Sequence, residues 1–306
     1  MGAKAMYDKG FLVVTSNVSI DDSHLPFSLS DKMTISKGTE FERDTFQHVL
    51  KDAGYFSKMF IKVGAELKVS ETTGAVSWVD NDNFIPYICV YSGFNHETPD
   101  LAMAGKLLNP KLIFGMQGMY ADCSHKSYCA YTLMSFEDLH WMGHQARNET
   151  KTYSIDDLND LSELFKAIIL LEEGNHYRRI LELYNSTDLI TINSSLLTLS
   201  YFSILEALLT NQDKVGITKQ LERKTKLLFN ICGEVDHVPF FGTLTNKKLW
   251  SKLYDLRSNI AHGNDYTIDI NLRDFETVNA YLDLVVSKLL RFSLRNQQLV
   301  VDLKSC

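Results

Sequence analysis

The sequence predicts an α+β protein, with a mixed α/β part over residues 1–150 followed by an all-helical part over 151–306. Three observations carry that expectation. Short runs with strand character recur before residue 100, helical periodicity sets in at Ser154 and persists, and the polar stretch His144 to Thr152 separates the two regimes. A chain of 306 residues with 45% hydrophobic content exceeds one typical domain and can bury a substantial core, so two domains are expected.

In chain order, Phe11-Leu-Val-Val-Thr15 reads as a strand, as does Ile61 to Val69, in which apolar and polar positions alternate. Between them Thr39, followed three residues later by Glu42, is a capping-box start for a helix that should close at Gly54. Phe84 to Tyr91 is a longer apolar run whose Pro86 pushes the strand toward a sheet edge or a late start. Thr98-Pro99 opens a short helix, with proline where a missing N–H costs nothing. Ser154 and Asp157 then cap a helix that places Leu158, Leu161, Leu164, Phe165, Ile168 and Ile169 on one face. The run Leu196 to Leu209 is an almost wholly apolar helix interrupted by Glu206. From Leu272 to Arg295 a last long helix repeats Phe275, Val278, Leu282, Val285, Leu289 and Phe292 at alternating spacings, a seam that suits either core packing or a dimer contact.

Composition removes several function classes. The net charge is −7, with the acidic excess falling mostly on residues 1–150, so no region has the basic excess of a protein that holds duplex nucleic acid by charge alone. Local basic clusters remain. Lys219, Arg223, Lys224 and Lys226 are expected to form a solvated helix face, while Lys247, Lys248, Lys252 and Arg257 suit either a solvated face or a phosphate track. Five cysteines without a framework, no apolar leader after Met1 and no apolar run of membrane-spanning length lead to the expectation of a cytoplasmic protein without a membrane partner. Neither a phosphate-cradling glycine loop nor a Gly-x-Ser-x-Gly elbow occurs, which argues against nucleotide hydrolysis and serine hydrolysis.

The most informative segment is Lys252-Leu-Tyr-Asp-Leu-Arg257-Ser258-Asn259-Ile-Ala-His262-Gly263, an arginine and a histidine separated by four residues at a helix end. A histidine titrates near ~6.5 and can take a proton from a ribose 2′-hydroxyl or give one to a leaving 5′-oxygen. An arginine stays charged and offers a fork of donors to crowded phosphate oxygens. Glu206 is expensive in an apolar helix unless paired; it holds Arg257, pairs with another helix or reaches solvent. Asn259 either orients phosphate or caps the helix end. Cys123, His125 and Cys129, with His140 and His144, form a weak zinc pattern, because the cysteine spacing is unusual for ligands, and no metal or other cofactor is expected. His48, His96, His176 and His237 show no evident partner in the sequence.

The order of a "LEALL"-type helix around Glu206, a basic connecting helix, the "LRxxIAHG"-type segment at Arg257–Gly263 and a final long helix resembles the ApeA-like branch of the HEPN domain family over residues 154–296. Tyr177 to Ser186 adds to the likeness, and Leu29 to Glu42 is similar to the strand-then-helix opening of many such proteins. The resemblance implies metal-independent endoribonuclease activity on RNA, with Arg257 and His262 at the catalytic positions, in a homodimer that brings two motifs together. It also implies a toxin or antiviral, abortive-infection role, with a phage-derived trigger or a neighbouring regulator protein as partner and residues 1–150 as the sensing part. Many active members carry Asn, Asp or His after the arginine; this chain has Ser258, which can still donate to phosphate. Lys248 and Lys252 are then the expected RNA contacts. The alternative is an inactive HEPN module that binds RNA or a protein.

Overall fold

The computed structural model describes residues 9–16, 18–52, 65–80, 85–92, 97–122, 126–133, 150–211, 216–264 and 267–305. The first part runs β1 (Lys9–Val14), β2 (Val18–Ile20), β3 (Phe27–Ser30), β4 (Met33–Lys37), α1 (Glu40–Asp52), β5 (Ala65–Val69), β6 (Val76–Asp80), β7 (Tyr87–Ser92), α2 (Thr98–Leu107), β8 (Phe114–Asp122), β9 (Ser127–Leu133) and β10 (Lys151–Tyr153). Helices follow: α3 (Ile155–Ile169), α4 (His176–Ser186), α5 (Ser195–Leu209), α6 (Ile217–Cys232), α7 (Val238–Phe241), α8 (Asn246–His262), α9 (Phe275–Arg295) and α10 (Gln297–Ser305). The chain is therefore α+β, and among the described residues no helix is long and apolar enough to cross a membrane.

Two compact units divide the chain, residues 1–166 and 167–306. The division falls inside α3, later than the expected boundary after residue 150. The cause is local: β10 pairs in parallel with β2, and the Ser162 hydroxyl on α3 donates to the buried Leu29 carbonyl, so the start of the helical run belongs to the first unit.

In that unit six antiparallel strands lie in the order β3-β4-β7-β1-β8-β9. The central place of β1 explains its uninterrupted apolar run, since Phe11 and Val13 face one side and Leu12 the other, and all three are fully buried. Phe11 and Val13 join Ile88, Met116 and Tyr120 in a core that includes Phe46 and Val49 of α1. β7 pairs with both β1 and β4, so Pro86 marks a late strand start and not an edge. β3 and β4 form a hairpin through Asp31-Lys32, which refines the strand-then-helix reading of Leu29 to Glu42. The acid half of the expected capping box at α1 forms: Glu42 accepts from the Thr39 N–H at 2.7 Å and from the Thr39 hydroxyl. Glu42 also accepts from the Tyr120 hydroxyl, while the Lys126 ammonium lies 3.9 Å away. Burial pushes this carboxyl up, but the bonds from Thr39 and Tyr120 outweigh it and hold it below the ordinary carboxylate range. The expected close at Gly54 and the start of the strand at Ile61 lie outside the described residues.

At α3 the expected cap is reciprocal, with the Ser154 N–H 2.8 Å from Asp157 and the Asp157 N–H 3.2 Å from the Ser154 hydroxyl. Leu158, Leu161, Leu164, Phe165 and Ile168 are all buried.

The second unit is built around α5, which contacts α4, α6, α8, α9 and α10. A helix that is apolar on nearly every side must be largely surrounded, and five helices pack on this one while Leu196 in its first turn stays exposed. Asn279 of α9 is buried yet fully bonded: its amide donates to the Ile192 and Ser194 carbonyls at 2.6 and 3.0 Å, and it accepts from the Thr198 hydroxyl at 2.7 Å. These bonds seat the first turn of α5 on α9. Val278, Leu282, Val285 and Leu289 of α9 are buried within the single chain, so the seam is core packing and leaves no apolar stripe there for a second copy.

Candidate functional site

α8 sets the geometry of the motif. Leu249, Trp250, Leu253 and Leu256 are its buried stripe. At about 100° per residue, Arg257 falls on the edge of that stripe and His262 nearly opposite it. The two side chains are therefore separated by about 140° around the axis and about 7.5 Å along it. Arg257 is accordingly half-buried and His262 exposed.

The edge position points Arg257 at α5. Its Nη2 lies 2.7 Å from Glu206 Oε1 and donates to Glu206 Oε2 at 3.0 Å. Of the three readings of Glu206, the structure selects the pair with Arg257. The guanidinium also sits 5.7 Å over the Tyr254 ring, which meets Phe202 edge-on, and Phe202 in turn meets Trp250. The buried Nε has no acceptor among the described residues. Carboxylate, phenol and neighbouring apolar rings thus fix the planar group in one orientation.

The helix ends as a Schellman motif. Gly263, at φ 65°, donates to the Ile260 carbonyl at 3.1 Å, and Asn264 donates to the Asn259 carbonyl at 3.0 Å. The Asn259 side chain accepts from the Asn264 amide at 3.3 Å, so it serves the helix end, as the cap reading held. His262 becomes the last residue of α8, outside the capping bonds. The Ser258 hydroxyl has no partner among the described residues.

The basic clusters divide. Lys248 is exposed. Lys252, expected on a phosphate track, is instead ion-paired with Asp269, whose carboxyl is pulled down to about 2 by the hydrogen bonds from Lys252 and then from Asn271. Lys219, Arg223 and Lys226 are solvated as expected, but Lys224 is buried, its ammonium donating to the Lys304 carbonyl at 3.0 Å and facing Gln220 at 3.4 Å. A long apolar stem with satisfied donors makes such burial tolerable.

The histidines left without a role have partners. His48 pairs with Asp52 at 3.2 Å, His237 Nε2 meets the Leu244 carbonyl at 2.7 Å, and His176 Nε2 meets the Ala207 carbonyl at 3.0 Å. His96, and the Cys123, His125, His140 and His144 of the zinc pattern, lie outside the described residues. Among those described, no three metal-ligating side chains converge. Cys89 is buried and its thiol is pushed up to about 12 by burial, which removes it as a nucleophile. Against protein-family models, curated proteins and solved structures, the chain finds no match.

Proposed function

We propose that the protein is a metal-independent endoribonuclease in which Arg257 and His262 act on single-stranded RNA or tRNA. The observation that carries this reading is the Glu206–Arg257 pair on a helix that ends in an exposed imidazole. A preorganised guanidinium suits the charge that grows on phosphorus, and an imidazole exposed at a helix end is free to exchange protons with substrate and water. The ribose 2′-hydroxyl attacks its own 3′-phosphate. One imidazole takes its proton, Arg257 stabilises the pentacovalent phosphorane, and a second imidazole protonates the leaving 5′-oxygen, giving 2′,3′-cyclic phosphate and 5′-hydroxyl ends.

Arg257 and His262 of one chain diverge by about 140°, and one imidazole cannot be base and acid at once in the same turnover. The reaction therefore calls for a homodimer whose two α8 ends share a cleft. Since the α9 seam is buried, that dimer must form around the end of α8. Residues 1–150 supply control in this reading, as the sensing part of a cytoplasmic defence protein that a phage-derived trigger or a neighbouring regulator releases.

Cleavage of single-stranded RNA and tRNA in excess chelator is the test. Wild type should yield 2′,3′-cyclic ends, while His262→Ala should lose about 10²–10⁴-fold in rate. Metal-dependent cutting to 3′-hydroxyl ends, or full activity without the imidazole, refutes it. A second reading, an RNA- or protein-binding HEPN-like module without catalysis, is favoured by Ser258 directly after Arg257. Tight RNA binding without cleavage would select that module.

A further inference from the structure

A cluster of basic side chains gathers at the Ala207 carbonyl, one residue along α5 from Glu206. The Lys304 ammonium, on α10, donates to the Ala207 carbonyl and lies 3.2 Å from His176 Nε2, at the start of α4. His176 approaches the same carbonyl at 3.0 Å. Arg179, one turn further along α4, is exposed and bears on the same imidazole. Burial first, then the charges of Lys304 and Arg179, hold this histidine below its ordinary range. No carboxylate among the described residues forms an ion pair with Lys304 or Arg179, and none enters the electrostatic surroundings of His176.

Two permanent cations held about one neutral imidazole without a carboxylate leave positive potential uncompensated, and surfaces ordinarily relieve this by spreading cations or interleaving acids. Here α4 and α10 bring them together at a carbonyl of α5. Lys304 is fixed from below, because the Lys224 ammonium holds its carbonyl while its own ammonium holds Ala207. An anion with several oxygens would be drawn to that potential and use the remaining donors of Arg179 and Lys304.

We propose that His176, Arg179 and Lys304 form a phosphodiester-binding subsite that holds the RNA backbone beside the Arg257–Glu206 pair. The subsite rests on the RNA reading of the protein, not on its catalytic step. It supplies the backbone contact that Lys252, engaged by Asp269, does not provide freely. Its ligand chemistry is a phosphate monoanion flanked by ribose, and a free inorganic phosphate is the competing source.

The test is binding of a short fluorescently labelled single-stranded RNA to the intact chain carrying His262→Ala, in chelator, by anisotropy across a salt series. Arg179→Glu and Arg179→Gln should weaken binding about tenfold and lower the salt slope by about 0.7 for the lost phosphate contact. Lys226→Glu makes the same charge change as Arg179→Glu on the side of α6 away from Lys224, and should shift affinity by about twofold or less. Thermal melts identical to the parent confirm that exposed Arg179 was not structural. RNA affinity and slope unchanged by both Arg179 variants overturn the subsite and leave the cleavage reading intact. Arg179-dependent binding by a wild type that cuts no RNA keeps the subsite and removes the nuclease. Absence of RNA binding, or equal losses in Lys226→Glu, overturns the subsite, as does inorganic phosphate binding at Arg179 without RNA competing for it.

Discussion

Replacing Glu206 by glutamine leaves the shape of the site and removes its negative charge. The partners are 22% and 19% exposed at the side chain, so the pair sits between the surface and interior limits. Breaking one side of a fully buried pair costs about 3–5 kcal/mol, and an exposed pair contributes about 0–1 kcal/mol. For a pair roughly four-fifths covered, Glu206→Gln should cost about 2–4 kcal/mol. Urea unfolding followed by circular dichroism measures this directly. The double variant Glu206→Gln/Arg257→Gln should recover part of the loss, because removing both charges leaves no uncompensated ion. Cleavage should fall about 10–100-fold in Glu206→Gln, as a guanidinium displaced by about 1 Å loses its aim. A single variant within about 0.5 kcal/mol of wild type, with no coupling to Arg257, would refute the argument that this acid positions the arginine.

Arg257→Ala should lose stability as well as activity, whereas exposed His262→Ala should melt like wild type; equal melting of the two would contradict the burial of the guanidinium. Gly263→Ala places a side chain at φ 65° and should destabilise by about 1 kcal/mol while loosening the end of α8, with the rate of cleavage falling more than binding. Gly105→Ala brings a methyl to 2.2 Å from the Leu112 carbonyl, a backbone atom that cannot rotate away, and should cost about 3 kcal/mol or more of first-unit stability in denaturant titrations. The Asp269 carboxyl, depressed to about 2, supplies stability that is complete above the unfolded value near ~3.9 and is lost as pH falls toward 2; Lys252→Ala should move its NMR titration back up.

Local chemistry was readable in the sequence. The Thr39–Glu42 and Ser154–Asp157 caps need only neighbours, and the α9 stripe needs only a period. The acid within α5 announced that it required a partner. Its identity lay 51 residues away and depended on where α8 would dock, so the sequence left three readings open. Lys224 was misassigned to a solvated face although a signal existed: it stands with Leu221, Thr225 and Leu228 at the spacing of a buried stripe, and all four are buried. The Lys252–Asp269 pair depends on a loop path after Gly263 that no periodicity encodes. Strand order was likewise hidden, because β1 and β7 become neighbours through pairing across the length of the unit.

Glu42 ties together two events that are usually separable. The same carboxylate that closes the first turn of α1 also accepts from Tyr120 on β8, 78 residues away. Once that turn frays, the sheet loses a bond; once β8 peels back, the helix loses part of its cap. Amide protons in the first turn of α1 should therefore exchange with solvent at the pace of the β8 ladder and not at the faster pace of an ordinary helix terminus, making this corner of the first unit one cooperative opening unit.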